Sequence, residues 1–308
     1  MSTPTARDSH YDQALTNVSI AYSNAAYIHP LIFPVVPVAK QTNKFFIFDK
    51  GAWYRDETGP RAPGTRAKRA EYTLSASNYT CVEKAISKGV PDEVIKNSDD
   101  PLTPLVRATR FVSDQILKAK EIDVLDTVFS TSWSSSATPT TEWDEDTSDP
   151  LTDIETGINA VELAIGQPVN TAVIGRGLWR YVKNHPDIVD RIRYGQTPGG
   201  PAMVTLEGFA ALIGVDRVLL SRAVKNTGNE GASDVMAYIA GNHMVLMHVS
   251  PTPALDSPSA GYVFQWLANE VNRYREDQEH QDVIEARCSW DVKLCATDAG
   301  YMIKNAVT

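Results

Sequence analysis

The sequence predicts an α+β fold with one long helix, a middle in which helices and strands alternate, and a C-terminal part that is mostly strand. Three observations carry that reading. Leu105, Ala108, Val112, Ile116, Ala119, Ile122, Leu125 and Phe129 recur every three or four residues, one apolar stripe along a helix over 104–129. The runs KFFIFDKGAW (44–53) and EYTLSASNYTCV (71–82) are rich in aromatic and β-branched residues and flank a Gly/Pro loop, as the two arms of a ribbon would. Beyond residue 260, strand patterns over 262–267, 282–294 and 301–304 dominate.

Size and composition bound the function. The chain has 308 residues, 43% hydrophobic and 22% charged, enough to fold without staples. At roughly 150 residues per domain, that allows about two domains. Its 29 basic residues against 38 acidic give a net charge of −9, which argues against wrapping nucleic acid, because phosphate binding needs clustered Lys and Arg. Cys81, Cys288 and Cys295 are odd in number and form no CxxC, so neither a disulfide framework nor a structural zinc site is expected, and reduced thiols in a cytoplasm are. The opening MSTPTARDSHYDQ has no apolar run and is not a secretory signal. Residues 13–39 carry no Asp, Glu, Lys or Arg, but Pro30, Pro34 and Pro37 exclude a spanning helix, and no membrane contact is expected.

The elements follow in order. Residues 1–40 read as an extended arm, since its prolines fix φ and remove donors. Ile28, Leu31, Ile32, Phe33, Val35, Val36 and Val38 are too apolar for a free tail, so the arm lies on its own core or on another subunit. The ribbon over 43–83 holds a basic island: residues 40–71 carry eight basic and four acidic residues. A lone two-stranded ribbon is marginal in water, so it needs a surface to lie on, and a neighbouring subunit is a natural one. Thr103 is the expected N-cap of the long helix, with Pro104 at its first position, and the helix is roughly 39 Å long at 1.5 Å per residue. Residues 142–155 hold seven acidic residues and no basic one, and a helix capped by Ser148 or Asp149 starts inside them, burying Leu151, Ile154, Ile158, Val161 and Ile165. A strand is expected over 170–174, helices over 177–184, 187–194 and 206–213 (the last capped by Thr205 and ended by Gly214), and strands over 217–224 and 243–249.

Chemical motifs are sparse. Gly175-Arg-Gly177-Leu-Trp-Arg180 follows a strand and opens a helix, but a dinucleotide turn needs a third glycine where Arg180 stands, and the plainer reading is a tight turn. Gly59-Pro-Arg-Ala-Pro-Gly64-Thr65-Arg66 has the glycine spacing of a phosphate loop without its Lys-Ser/Thr pair, and reads as a loop tip. His243 and His248 lie five apart on one strand and point to opposite faces, and there is neither HExxH nor GxSxG. Cys81 reads as a half-buried structural thiol. No catalytic, cofactor or metal residues are therefore assigned. What the chain does hold are devices for touching other chains: an apolar arm, a basic ribbon and separate acidic surfaces.

The order of these parts resembles the major capsid proteins of tailed bacteriophages, the Hong Kong 97-type fold. The resemblance rests on IFPVVPVAKQTNKFFIFDK (32–50) with RAPGT (61–65) beyond it, SKGVPDEVIKNSDDPLTPLVRATRFVSDQI (87–116), NTAVIGRGLWRYVKNHPDIVDRIRY (170–194), VTLEGFAALIGVDRVLLSRAVKNT (204–227) and CATDAGYMIKNAV (295–307), and spans the chain from about residue 15 to the end. It implies an N-terminal arm over 1–40, an extended β-hairpin loop over 41–83, a peripheral domain from 84–149 and 256–308 built around a spine helix over 104–129, and an axial domain over 150–255. It also implies self-assembly as hexamers and pentamers into an icosahedral shell around double-stranded DNA that is enclosed without sequence-specific binding. The location is then the virion, after assembly in the host cytoplasm. Expected partners are further copies of the chain, a portal, a separate scaffolding protein and a decoration protein. Lys68 and Asn305 are conceivable partners for a covalent cross-link of the kind some members make, without a residue-level match. The alternatives are an encapsulin-like shell that packages enzymes and, in a different class, an α/β nucleotide-binding enzyme using Gly175–Arg180.

The expected inter-subunit contacts pair opposite charges. Arg55, Arg61, Arg66, Lys68 and Arg69 of the ribbon would lie over Asp144, Glu145 and Asp146, or over Glu276, Asp277 and Glu279, of the adjacent subunit. Exposed pairs are worth at most about 1 kcal/mol each, so burial of the arm, Trp53 and Tyr54 must supply most of the stability.

Overall fold

The structure, a computed structural model, describes residues 27–48, 50–98, 103–195, 204–229, 231–252 and 258–307. In chain order these form α1 (His29–Ile32), β1 (Val35–Pro37), β2 (Thr42–Phe48), α2 (Lys50–Tyr54), β3 (Leu74–Thr80), β4 (Val82–Pro91), α3 (Asp92–Lys96), α4 (Pro104–Val128) and β5 (Ser135–Ala137). They continue with α5 (Pro150–Ile165), β6 (Thr171–Gly175), α6 (Arg176–Val182), α7 (Pro186–Gly195), α8 (Leu206–Ile213), β7 (Arg217–Ser221), β8 (Val224–Asn226), β9 (Met236–Tyr238), β10 (Met244–Met247), β11 (Gly261–Glu276), β12 (Gln281–Leu294) and β13 (Gly300–Ile303).

One sheet has the order β1-β11-β12-β4 and carries the long helix α4. The helix forms where its apolar period predicts, but its buried arc is wider than the expected stripe. Thr109, Ser113, Lys120 and Glu121 are buried with Val112, Ile116 and Leu125, whereas Ala119 and Ile122 are half-exposed. The reason is a second layer on that side. The carboxylate of Glu121 accepts hydrogen bonds from the backbone N–H of Ile28 (3.1 Å) and His29 (2.7 Å) and from Nδ1 of His29 (3.0 Å), which straps the arm to the helix. Lys120 Nζ donates to Gln265 Oε1 (2.6 Å), and burial pushes its amine down. Thr103 does not cap with its side chain as expected; its carbonyl takes the Arg107 N–H, and Pro104 has no N–H to satisfy. The described part of the arm lies on its own core. Ile32 and Phe33 are fully buried, and β1 pairs parallel with β11, Val35 opposite Val263. Residues 1–26 fall outside the described residues.

Two strands exceed or escape the sequence reading. β11 runs to Glu276 rather than 267, through two register shifts between Gln265 and Glu270. Its outer half is held by charged cross-strand pairs, Glu270–Arg287 and Arg273–Asp282 at 2.9 Å each, which break the apolar alternation that marks a strand. β4 also escaped the sequence reading. It pairs antiparallel with β12 over ten residues, Val82 to Pro91, with mostly exposed side chains.

The second sheet has the order β5-β13-β10-β6-β7, with β6–β7 and β13–β5 parallel and β10 antiparallel to both its neighbours. Every residue of β6, β10 and β13 is buried. β5 and β13 come from outside 150–255, so backbone hydrogen bonds cross the domain boundaries expected at 150 and 255. Helix α5 starts as expected at Asp149, whose side chain accepts from the Thr152 N–H (3.1 Å), and Thr205 caps α8 in the same way through the Gly208 N–H (3.1 Å). Gly166 and Gly214 end these helices at φ +62° and +72°, a region that glycine occupies without a Cβ penalty.

Candidate assembly surface

The predicted ribbon is present, though shorter than expected. β2 pairs antiparallel with β3, Thr42 opposite Thr80 through Phe48 opposite Leu74. Residues 50–53, expected as strand, belong instead to the helix α2 (Lys50–Tyr54). The helical turn puts Lys50 and Tyr54 on one side, four residues apart. Lys50 Nζ reaches the carboxylate of Asp298, and the Tyr54 hydroxyl donates to the Ile165 carbonyl at the end of α5. The Lys50 hydrogen bond holds the Asp298 carboxyl below its ordinary range. The sequence reading named Tyr54 but missed Lys50 and Asp298, which are 248 positions apart.

The ribbon's root is fixed to the four-stranded sheet. Tyr79 stacks on Phe264 at 4.6 Å and Phe45 lies 5.5 Å from the same ring. Gln41 and Cys81 close the base through two hydrogen bonds, and Cys81 is fully buried, deeper than expected, with its thiol pushed up by burial. One face of the ribbon thus has its own chain as a surface. The other does not: Phe46 is 57% exposed, and Leu74, Trp53 and Tyr72 are also exposed.

Beyond the ribbon, nearly every residue from Arg55 to Thr73 is exposed. The loop has local order all the same. Asp56 accepts from the N–H (2.8 Å) and hydroxyl (2.5 Å) of Thr58, which lowers its carboxyl, and Thr65 N–H bonds back to the Ala62 carbonyl across Pro63 and Gly64 at φ +82°. Pro followed by a positive-φ Gly is a type II turn. Of the predicted cations, Arg55 (3.6 Å) and Lys68 (3.3 Å) share Glu57. Arg61, Arg66 and Arg69 are exposed and have no ion pair among the described residues.

The two acidic clusters differ. Glu276 and Asp277 are engaged within their own hairpin turn, by Gln281 (2.7 Å) and Arg275 (3.4 Å), and Glu279 also meets Gln281. Asp144, Glu145 and Asp146 are exposed, and their carboxylates have no ion pair among the described residues. Their turn is held from behind. Trp143 is buried, with its N–H on the Ala306 carbonyl (2.6 Å) and its indole on Asp153 (2.9 Å); Ser148 Oγ donates to the Glu145 carbonyl (2.8 Å). His185 Nε2 lies 3.0 Å from Ser148 Oγ and Asp187 4.0 Å from His185 Nδ1. That resembles a nucleophile's support, but both residues are buried and the hydroxyl proton is already given to a carbonyl, so the group is a fastening.

The remaining candidates are equally structural. A Cβ on Gly175 would collide with the carbonyls of Ala240 and Gly241, and one on Gly177 would press on the Asn242 side chain. The two glycines thus serve a close backbone crossing before α6, the tight-turn reading. A cleft of about 610 Å³ between α4 and β12 exposes Asp123, Asp126 and Asp291, each with a lysine within 4 Å. Among the described residues no group of three or more His, Cys, Asp or Glu could hold a metal.

The comparisons with known proteins agree with this geometry. The chain is 25% identical over 303 residues to the major capsid protein of Burkholderia phage BcepMu, covering 95% of each. It is 27% identical over 240 residues to that of Pseudomonas phage JBD67, 75% of each. The chain is thus similar along most of its length to phage major capsid proteins, which are structural proteins not known as enzymes. No family model matches. Among solved structures, a phage-related protein from Bordetella bronchiseptica superposes with a TM-score of 0.76 at 24% identity, over 97% of this chain and 98% of that one. The capsid protein of Cyanophage P-SCSP1u gives 0.61 at 9% identity (92% and 88% covered), and an encapsulin from Synechococcus elongatus 0.57 at 10% (99% and 91%). All three are under 25% identical and show the fold alone, and the chain has the Hong Kong 97-type architecture of these neighbours.

Proposed function

We propose that the chain is the major shell-forming subunit of a phage virion, assembling as hexamers and pentamers into an icosahedral capsid around double-stranded DNA. The observation that supports this best is the near full-length likeness to phage major capsid proteins in a chain whose most exposed segment, 55–73, is basic and flanked by exposed aromatics. A ring of unlike, complementary patches closes where a self-complementary patch would stop at a dimer. We take the four-stranded sheet with α4 as the peripheral part and the five-stranded sheet as the axial part. Arg61, Arg66 and Arg69 are the free cations for an acidic partner, and Asp144, Glu145 and Asp146 are the better acceptor, because the carboxylates of Glu276, Asp277 and Glu279 already have neighbours. The acidic net charge suits an inner wall along which packaged DNA can move. A portal, a scaffolding protein and a decoration protein are the further partners this reading calls for, each to be tested by co-purification from infected cells.

Negative-stain microscopy with light scattering on the purified protein tests the reading. Closed shells, or rings of five and six, are expected. A protein that stays monomeric at high concentration, with and without co-expressed phage proteins, would falsify it. Nucleic acid in shells from infected cells supports a virion, and packaged enzyme supports the encapsulin alternative. For the charge pairing, Arg66→Glu with Arg69→Glu should lower shell yield, and reversal of Asp144 and Asp146 to Lys in the same chain should restore part of it. Unchanged yield in the first variant sinks the pairing.

A further inference from the structure

Helix α6 has two unlike faces. Leu178, Trp179 and Val182 are buried on the side packed against β6 and β7. Arg176, Arg180 and Lys183 follow at spacings of four and three on the other side, Arg180 exposed and the other two half-exposed. We propose that this basic face, with Arg222 beside it, is a site for the phosphate backbone of the double-stranded DNA that the shell encloses. The capsid reading above supplies the DNA, so the proposal rests on it. Four observations carry it. The charge is uncompensated: between Glu162 and Asp187 the sequence has three cations and no acid, in a chain of net charge −9. Arg176, Arg180, Lys183 and Arg222 have no ion pair among the described residues, whereas Lys84, Lys225 and Lys293 each have a carboxylate within 4 Å. The sheet brings in the fourth cation, because Ser221 pairs with Gly175 and the exposed Arg222 therefore stands beside the first residue of α6. The span fits, since Arg176 to Lys183 covers about 10 Å of helix axis, over which one DNA strand offers about three phosphates. Finally, the face has no apolar anchor. Gly177, Tyr181 and Asn184 stand between the cations, and the Tyr181 ring is covered by the Arg180 guanidinium (4.6 Å), which also donates to its hydroxyl (2.5 Å). A protein partner is bound through an apolar centre with a polar rim, whereas a phosphate backbone is held by cations. Four cations in an acidic wall hold DNA weakly and without regard to sequence, so it is retained and can still move.

The test titrates the unassembled full chain into fluorescein-labelled duplexes of two unrelated sequences and follows anisotropy from low to physiological salt. Both duplexes should bind equally and weakly, with a log–log salt slope of about −3 to −4. Arg180→Gln with Lys183→Gln should flatten that slope by about two and weaken binding at low salt by about tenfold. No binding at low salt overturns the site, and so does a slope that this variant leaves unchanged or that Arg61→Gln with Arg66→Gln moves more. Polyglutamate that binds more tightly than the duplex at equal charge assigns the face to an acidic polypeptide and also overturns it. The second readout is taken in particles. In DNA-filled particles from infected cells, Lys183 should be several-fold less reactive to acetylation than in emptied ones, as read by mass spectrometry; equal reactivity overturns the proposal. Where no particles form, microscopy has refuted the capsid reading, and the salt slope separately decides whether the face binds DNA.

Discussion

Two antiparallel strand pairs in this chain have opposite surroundings. β11–β12 is flanked by β1 and β4 and covered by α4, with Trp290 buried between Lys84 (5.1 Å) and Lys120 (5.7 Å) and its indole N–H on Asp123 (2.9 Å). β2–β3 has one face on Phe264 and the other open, with Phe46 and Leu74 turned outward. The first hairpin is completed within the subunit. The second keeps one apolar face open, the face that the proposed assembly would cover. Strand pairing supplies the scaffold in both; what lies on the faces decides whether a hairpin belongs to the fold or to the assembly.

Substitutions can separate the two roles. Trp290→Ala removes a large buried side chain and should cost about 3–5 kcal/mol, a large share of the roughly 5–15 kcal/mol of a typical fold; thermal unfolding measures it, and a loss below about 1 kcal/mol would mean the covered hairpin is not held by its cover. Glu121→Ala comes next. It leaves the Ile28 and His29 amides and the His29 ring without their acceptor, at about 1–3 kcal/mol for each group left unsatisfied, and hydrogen exchange over 28–33 should accelerate well before the rest of the molecule. Phe46→Ser on the open face should change monomer stability by no more than about 0.5 kcal/mol while reducing shell yield; equal yields would show that this face meets nothing. The smallest effect is pH-dependent. The Asp298 carboxyl is held below its ordinary value by Lys50, so its contribution is complete above the usual carboxylate range, near pH 4, and is lost as pH falls further. Exchange protection at 50–54 should therefore be flat from pH 8 to 5 and fall only in stronger acid; a loss on raising the pH would contradict the sign.

Much of the covered part was legible because burial writes a period into the sequence. The stripe from Ala108 to Leu125, the Asp149 and Thr205 caps and the glycine stop at 214 all act locally, within a few residues. The ribbon was legible too, from its aromatic run and from the Pro63-Gly64 turn. Two strands without a clean apolar alternation were not: β4 has mostly exposed side chains, the outer half of β11 is held by charge pairs to β12, and these pairings are known only once β12 lies between them. Lys120 and Glu121 look like solvent-facing positions until the arm is laid over the helix. Of the assembly surface, composition marked the cations and both acidic clusters. It could not separate them, because the neighbours that occupy Glu276, Asp277 and Glu279 and the hydrogen bonds that present Asp144 to Asp146 are properties of the folded turns. The Lys50–Asp298 contact joins residues 248 positions apart and left no local trace.

The place of β13 bears on when the fold can close. This strand, residues 300–303, is an inner member of its sheet, between β5 and β10. Translation delivers about 5–20 residues per second, so for many seconds the nascent chain holds β5, β6, β7 and β10 with the slot between β5 and β10 empty. The sheet cannot close until residue 303 has left the ribosome. A chain cut short before residue 300 would leave the edges of β5 and β10 unpaired, the kind of open strand edge that invites mispairing.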